Sequence, residues 1–531
     1  MKKFVLGSLI LVLALSFIAC DRDGGSADWT RGDYSRRLSF TSAMNNPILG
    51  FDYTAGDPYA LWWSTKYNWD IEVVPMASDR WNELPRIWVN SRDMPDVLIF
   101  NYTQTTHADA VSWAEQGLVK RMPDNWRELW PNISAVFDTT GLGPRIEEMM
   151  GGVYYLPRAR FYEYLPGEPL PGHQAMHMRR DWAEAVGFPI KEAYTINEIM
   201  DYARLIRQHD PGRIGVNLQP ITNRPGQALE IFVRRNFANF DTFFRDASGR
   251  YVWGGADPRT LEGLYLYYEA FSTGLLNREF FTLRNNEEWE QIRVTGIAAS
   301  AYGGGTSTGF QIDYWNTFQQ NLGLDPDEVM MFPIILGNDG YYHERETINY
   351  WGAIMFSPTI DEELFYRYMD MLDYNASDEG YLFSVAGFEG EDWEWRDGVM
   401  VNLNPPGLAL EGANGKYPSM GYLLGTIRLW DDFSFVNPNV LQQYLDLSWK
   451  IYTDKVIYGR PDTLIPTDWE IWMYDSPARR RASVDFSTDF ADIIINARSR
   501  ADVETLWRQW INTQMSIIQP VLDELNALPR R

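Results

Sequence analysis

The sequence predicts an α/β fold divided into at least two lobes, and three observations predict it. The chain has 531 residues, 45% of them hydrophobic and 22% charged, which is apolar material for more than one core and excludes a disordered or fibrous chain. Between residues 38 and 116 strand-like and helix-like segments alternate at the spacing of a mostly parallel sheet covered on both faces. A second run of such segments begins after the stretch Val153 to Pro157.

The amino terminus reads as an address. Lys2 and Lys3 precede an apolar run from Phe4 to Ile18, and Ala19 then precedes Cys20, the only cysteine; this is the anatomy of a secretory signal. The polar residues after it form a flexible tether, and the apolar run is short for a bilayer span. Leu38 to Ala43 is a strand leading into Asn45, Asn46 and Pro47. Asp57 and Pro58 are N-cap and first position of a helix reaching Tyr67. Ile71 to Met76 is a strand, Ser78 to Asn90 a helix and Asp96 to Phe100 a short buried strand, followed by a helix from His107 stopped at Gly117. Further on, Ala175 to Met178 is strand-like and Asp181 to Val186 helical. Thr195 opens a helix through Gln208 with Glu198 at the capping-box position, and Asp257 with Pro258 opens another. From about Asp361 the chain is chiefly helical, with Pro- and Gly-punctuated connections.

Charge narrows the partner. Lys plus Arg is 47 against 72 Asp plus Glu, a net of −25, so no nucleic-acid partner is expected, because duplex binding needs cations facing phosphates. Aromatic residues make up 15% of the chain, a surplus that implies many rings partly exposed or lining a cleft.

Several segments, in order, resemble the extracellular solute-binding lipoproteins of bacterial ABC importers, of the family 1 carbohydrate-binding type. Phe17, Ile18, Ala19 and Cys20 resemble a lipobox, with Phe17 in place of the usual leucine. DVLIFN followed by WAEQGLVKRMPDN, then GGVYYLPR, MRRDWAEAVGFP, EAFSTGLLNREFFT and DEGYLFSVAGFEGEDWEW resemble segments of that family, and TQMSIIQPVLDELN resembles its closing helix. The resemblance implies a periplasmic-binding-protein-like (type II) fold whose two lobes close as a hinge. The expected division is a signal peptide over 1–19, a lipid-anchored tether over 20–35, a first lobe of 36–157 plus 295–355, and a second lobe of 158–294 plus 356–531 with a helical carboxyl-terminal part. The expected partners are a sugar or oligosaccharide, the importer's permease subunits, and a membrane reached through lipid on Cys20 at the extracytoplasmic face of the cell envelope. The protein is expected to be a monomer without cofactor or metal.

Enzymatic alternatives need a constellation. His173 and His177 have helical metal-ligand spacing, but Pro171 and Gly172 before them favour an extended segment, and HERE from His343 lacks a zincin's second histidine. Gly303, Gly304, Gly305 and Gly309 lack the Lys and Ser/Thr of a phosphate loop. Carboxylates such as Glu389, Glu391, Asp392 and Glu394 leave a carbohydrate hydrolase as an alternative, and a surface sensor or adhesin is another. Loops at strand carboxyl ends and at lobe crossings are the expected ligand positions. They supply Asn45, Asp57, Tyr59, Asn101, Tyr102, Arg158, Tyr162, Tyr302 before the glycine turn, Trp351 after an apparent return strand, and Trp393 and Trp395 in an acidic loop, where polar neighbours favour exposure. Trp63, Trp81 and Trp88 are assigned to the core.

Overall fold

The computed structural model describes residues 29–77, 80–162, 165, 167–283, 287–421, 426–429 and 437–528. Cys20, the signal and most of the tether lie outside the described residues.

Strand β1 (Leu38–Asn45) lies between β2 (Trp69–Met76) and β3 (Val97–Phe100) and is parallel to both. Ala353–Phe356 then pairs antiparallel with β3 and with Leu156–Pro157, completing a five-stranded sheet. Helices α1 (Pro58–Lys66), α2 (Glu83–Ser91) and α3 (His107–Glu115) fill the connections. Asp57 caps α1 by accepting a hydrogen bond from the Ala60 amide at 2.7 Å, and Pro58 occupies a position that needs no donor. The pairing puts Asn45 beside Met76, and Ala353 beside both Phe100 and Pro157. The carboxyl ends of the parallel strands and the departure points to the second lobe therefore share one edge.

In the second lobe Gln174–Arg179 pairs antiparallel with Ser300–Gly304 on one side and Met330–Met331 on the other. Ala193–Thr195 runs parallel to Ile334–Leu336. Thr195 and Glu198 form a capping box for Ile196–His209, and Asp257 caps Pro258–Ser272.

The expected lobe boundaries need correction in two places. Residues 300–304 belong to the second sheet, since their backbone completes the edge of Gln174–Arg179. Conversely Glu362–Ala376 buries Leu364, Phe365, Tyr368 and Met369 in the first lobe's core with Phe40, Trp63 and Trp69, and Tyr417, Met420 and Ile427 join them. The next long helix, Gln442–Tyr458, is back in the second lobe, where its Tyr444, Leu445 and Ile451 pack with Trp289 and Phe310.

Besides the passage between Ile427 and Gln442, stretches near residues 158–173, 337–352 and 460–468 cross between the lobes, and none lies at 290–300. They are bonded to one another: Asn349 Oδ1 accepts from the Phe161 amide at 2.8 Å, the Thr347 amide donates to Leu170 O, and Glu344–Arg345 pairs with Leu464–Ile465. Glu344 anchors the crossing. Burial opposes its charge, but Arg235, Lys455, the Tyr342 hydroxyl and the Gly172 amide hold its carboxyl down at about 2.

Candidate functional site

The lobes meet around an interlobe cavity of about 60 Å³. The second lobe supplies Thr308, Gln311 and Ile312, from helix Ser307–Phe310 and the π-helical turn Gln311–Phe318 that continues it, together with Asn437, Asn439 and Val440. The first lobe supplies Ser384 and Val385 from helix Asp378–Ala386, the run Leu408 to Glu411, and Met420, Gly421 and Thr426.

Two buried carboxylates shape the first-lobe wall. Asp392 accepts from the Phe388 amide at 2.7 Å, Lys416 Nζ at 2.5 Å, the Tyr417 hydroxyl at 2.9 Å and Asn404 Nδ2 at 3.2 Å, joining three loop segments. Asp57, besides capping α1, accepts from the amide and hydroxyl of Ser419, both at 2.8 Å. Together they hold residues 404–421 against the first lobe. The second lobe is joined to this wall by amides: Asn437 Nδ2 donates to Val385 O at 3.0 Å, Asn439 Nδ2 to Ala386 O at 3.1 Å, and Asn404 Nδ2 to Asn439 Oδ1 at 3.2 Å. Gln311 Nε2 in turn donates to Asn439 O at 3.0 Å.

Two polar groups in the cavity have no protein partner among the described residues. Thr308 Oγ1 is buried without a hydrogen bond, and such groups mark places where water or ligand completes the bonding. The Glu411 carboxylate accepts no bond from a described residue, and burial alone pushes its pKa up to about 7. Gly421, at φ +84°, leaves it room: a Cβ there would stand 2.3 Å from Glu411 Oε2.

The residues expected from sequence fall into two sets, and none of them lines this cavity. Asp57 is structural, as above. Tyr59 is buried against Phe383 and Tyr417, Tyr102 is buried on Trp472, and the buried Tyr302 hydroxyl accepts from Arg235. Trp393 is only 4% exposed, because it lies on the inner side of the hairpin Trp393–Arg396 and Val399–Asn402, packed with Tyr381 and Val385. These are corrections: local polarity around a ring does not reveal what packs on it from elsewhere.

In the other set, Arg158, Tyr162 and Trp351 lie on the crossing stretches, where the Trp351 amide donates to Arg158 O. Trp351 precedes the strand Ala353–Phe356 rather than following one; it is 37% exposed and rests edge-on against Trp81 at 5.0 Å. The Arg158 guanidinium lies 5.6 Å from the Trp351 ring, and Arg158 Nε donates to Thr426 O at 2.7 Å, linking this face to the cavity wall. Burial lowers Arg158 to about 10. Asn45 ends β1, Asn101 Nδ2 donates to Asn82 Oδ1 at 2.8 Å, and Tyr162 lies under Arg428 at 4.5 Å. Trp395 is 53% exposed with its ring edge-on to Trp393. Of the tryptophans assigned to the core, Trp63 and Trp81 are buried and Trp88 is partly so.

His177 is fully buried, with ring nitrogens 2.5 Å from the Tyr314 hydroxyl and 2.8 Å from Gly304 O, and burial lowers its pKa to about 3. Among the described residues no group of three or more His, Cys, Asp or Glu could hold a metal ion, and no helix is long and apolar enough to cross a membrane.

No protein-family model and no curated protein matches the sequence. Solved structures do. The alginate-binding protein AlgQ2, in a structure without calcium ion, superposes with a TM-score of 0.64 at 15% identity, covering 93% of this chain and 98% of that one. The Streptococcus pneumoniae ABC-transporter substrate-binding protein FusA, in complex with kestose, gives 0.67 at 14% identity, covering 92% and 97%. The N-glycan transport solute-binding protein NgtS from Streptococcus pneumoniae, in complex with Man5GlcNAc, gives 0.58 at 12%, covering 92% and 97%. The chain has the two-lobe α/β fold of these binding proteins along nearly its whole length.

Proposed function

We propose that this chain captures a sugar or oligosaccharide between its lobes and delivers it to the permease of an ABC importer, held at the extracytoplasmic membrane face by lipid on Cys20. The observation that carries the reading is the interlobe cavity, where Thr308 and Glu411 present unpartnered oxygens beside amides from Asn437 and Asn439 and apolar Val385, Leu410 and Met420. Hydroxyl donors satisfy such oxygens, while the C–H faces of a sugar ring suit apolar walls and exposed indoles such as Trp351. The fold shared with an ABC-transporter binding protein that holds kestose and an N-glycan transport protein that holds Man5GlcNAc supports the same reading.

A cavity of about 60 Å³ is far below the roughly 300–1,000 Å³ of ordinary ligand pockets. A sugar ring therefore enters only when the lobes part, and capture is a closure. Contacts from both lobes supply the differential affinity that such closure requires. Among the described lining residues Glu411 is the only carboxylate, whereas most glycosidases flank the bond with two; this favours capture without hydrolysis.

Thermal-shift and calorimetric screening of the protein against neutral oligosaccharides, with chromatography of the recovered sugar, tests the proposal. Saturable binding with intact sugar is expected. Release of shorter products in proportion to protein would replace capture by hydrolysis.

A further inference from the structure

We infer that Glu411 selects ligand by charge, so that the interlobe site takes neutral sugars and turns away their uronic-acid counterparts. The inference rests on the proposed sugar capture and adds the ligand's chemical class.

Glu411 is the only ionisable side chain among the described residues lining the cavity; its neighbours there are amides, hydroxyls and apolar groups. Nearby cations are engaged elsewhere. Lys416 bonds Asp392 and lies 3.2 Å from Glu391, Arg428 pairs with Asp378 while covering the Tyr381 ring, and Arg158 donates to Thr426 O. Burial is the one influence on the Glu411 carboxyl, so no cation offsets its charge.

A carboxylate in this setting accepts hydrogen bonds from sugar hydroxyls, and these charge-assisted bonds are the stronger kind. A second carboxylate, on the ligand, would meet like charge there. Juxtaposed like charges in an interface cost several kcal/mol, which corresponds to a discrimination on the order of 100-fold.

The test is calorimetric titration at pH 8 with matched pairs: galactotriose against trigalacturonate, and mannotriose against trimannuronate. The wild type is expected to bind a neutral member about 100-fold more tightly than its acidic counterpart, and Glu411→Gln should reduce that ratio to tenfold or less. Equal binding of both members by the wild type overturns charge selection while leaving sugar capture standing, and so does a Glu411→Gln protein that keeps the full ratio. Binding of neither class overturns sugar capture, and this inference with it. The wild-type ratio is decisive even if the variant folds poorly.

Discussion

Replacing Asn439 with alanine should loosen the closed arrangement without damaging either core. Asn439 is 3% exposed, and its side chain makes two bonds to the first-lobe wall, donating to Ala386 O and accepting from Asn404 Nδ2. Each is worth about 1 kcal/mol net when the open form exposes the same groups to water, so closure loses about 2 kcal/mol in total. Asn404 keeps its bonds to Asp392, and the Asn439 backbone keeps those to Gln311 and Asn437, so no further loss is expected. Because a ligand of the closed form must make good the lost closure energy, affinity should fall by up to about 30-fold. Calorimetry with a neutral oligosaccharide measures the affinity, and urea unfolding of the same variant should show little change. Unchanged affinity would refute the assignment of these bonds to closure, as would a large loss of stability with binding intact.

Trp351→Ala should weaken sugar binding by about 1–3 kcal/mol through lost apolar contact and ring stacking, with the melting temperature nearly unchanged; normal binding in calorimetry would return Trp351 to a packing role. Asp57→Ala removes a helix cap and both bonds to Ser419, which is buried, and should cost about 2–4 kcal/mol in denaturant unfolding; full stability with lost binding would restore Asp57 as a ligand contact. Glu411 has a folded-state pKa raised from 4.5 to about 7. Its protonated form is therefore favoured by folding, and the stability it contributes is full below about pH 4.5 and lost as pH rises to about 7. Melting scans across that window should show a decline that Glu411→Gln lacks, and parallel curves would contradict the shift. Cys20→Ser should release the protein from the membrane fraction, while retention of a processed variant would argue against the lipid anchor.

The caps at Asp57–Pro58, Thr195 with Glu198, and Asp257–Pro258 were legible in the sequence because a cap is made by residues two or three apart. The strand and helix alternation through residue 116 was legible for the same local reason. Membership in a lobe was not. Nothing local tells residues 300–304 to pair with Gln174–Arg179, or Glu362–Ala376 to return to the first core. The cavity was hidden more completely, since its wall depends on contacts such as Asp57 to Ser419, separated by 362 positions, and Asn439 to Ala386. The Gly- and Asn-rich stretch from Asn404 to Gly421 was the available signal, yet by composition it reads only as a connection. Aromatic rings misled where helix starts or hairpins hid their burial, as at Tyr59 and Trp393.

The most direct test of sugar capture is a crystal structure of the protein with a neutral oligosaccharide that raises its melting temperature. The account predicts the sugar between the lobes, with hydroxyls bonded to Glu411 and Thr308 and a ring face near Trp351. Sugar bound instead in the hollow of about 780 Å³ on the second lobe, lined by Phe237, Asn239 and Met515, with the interlobe cavity empty, would contradict it.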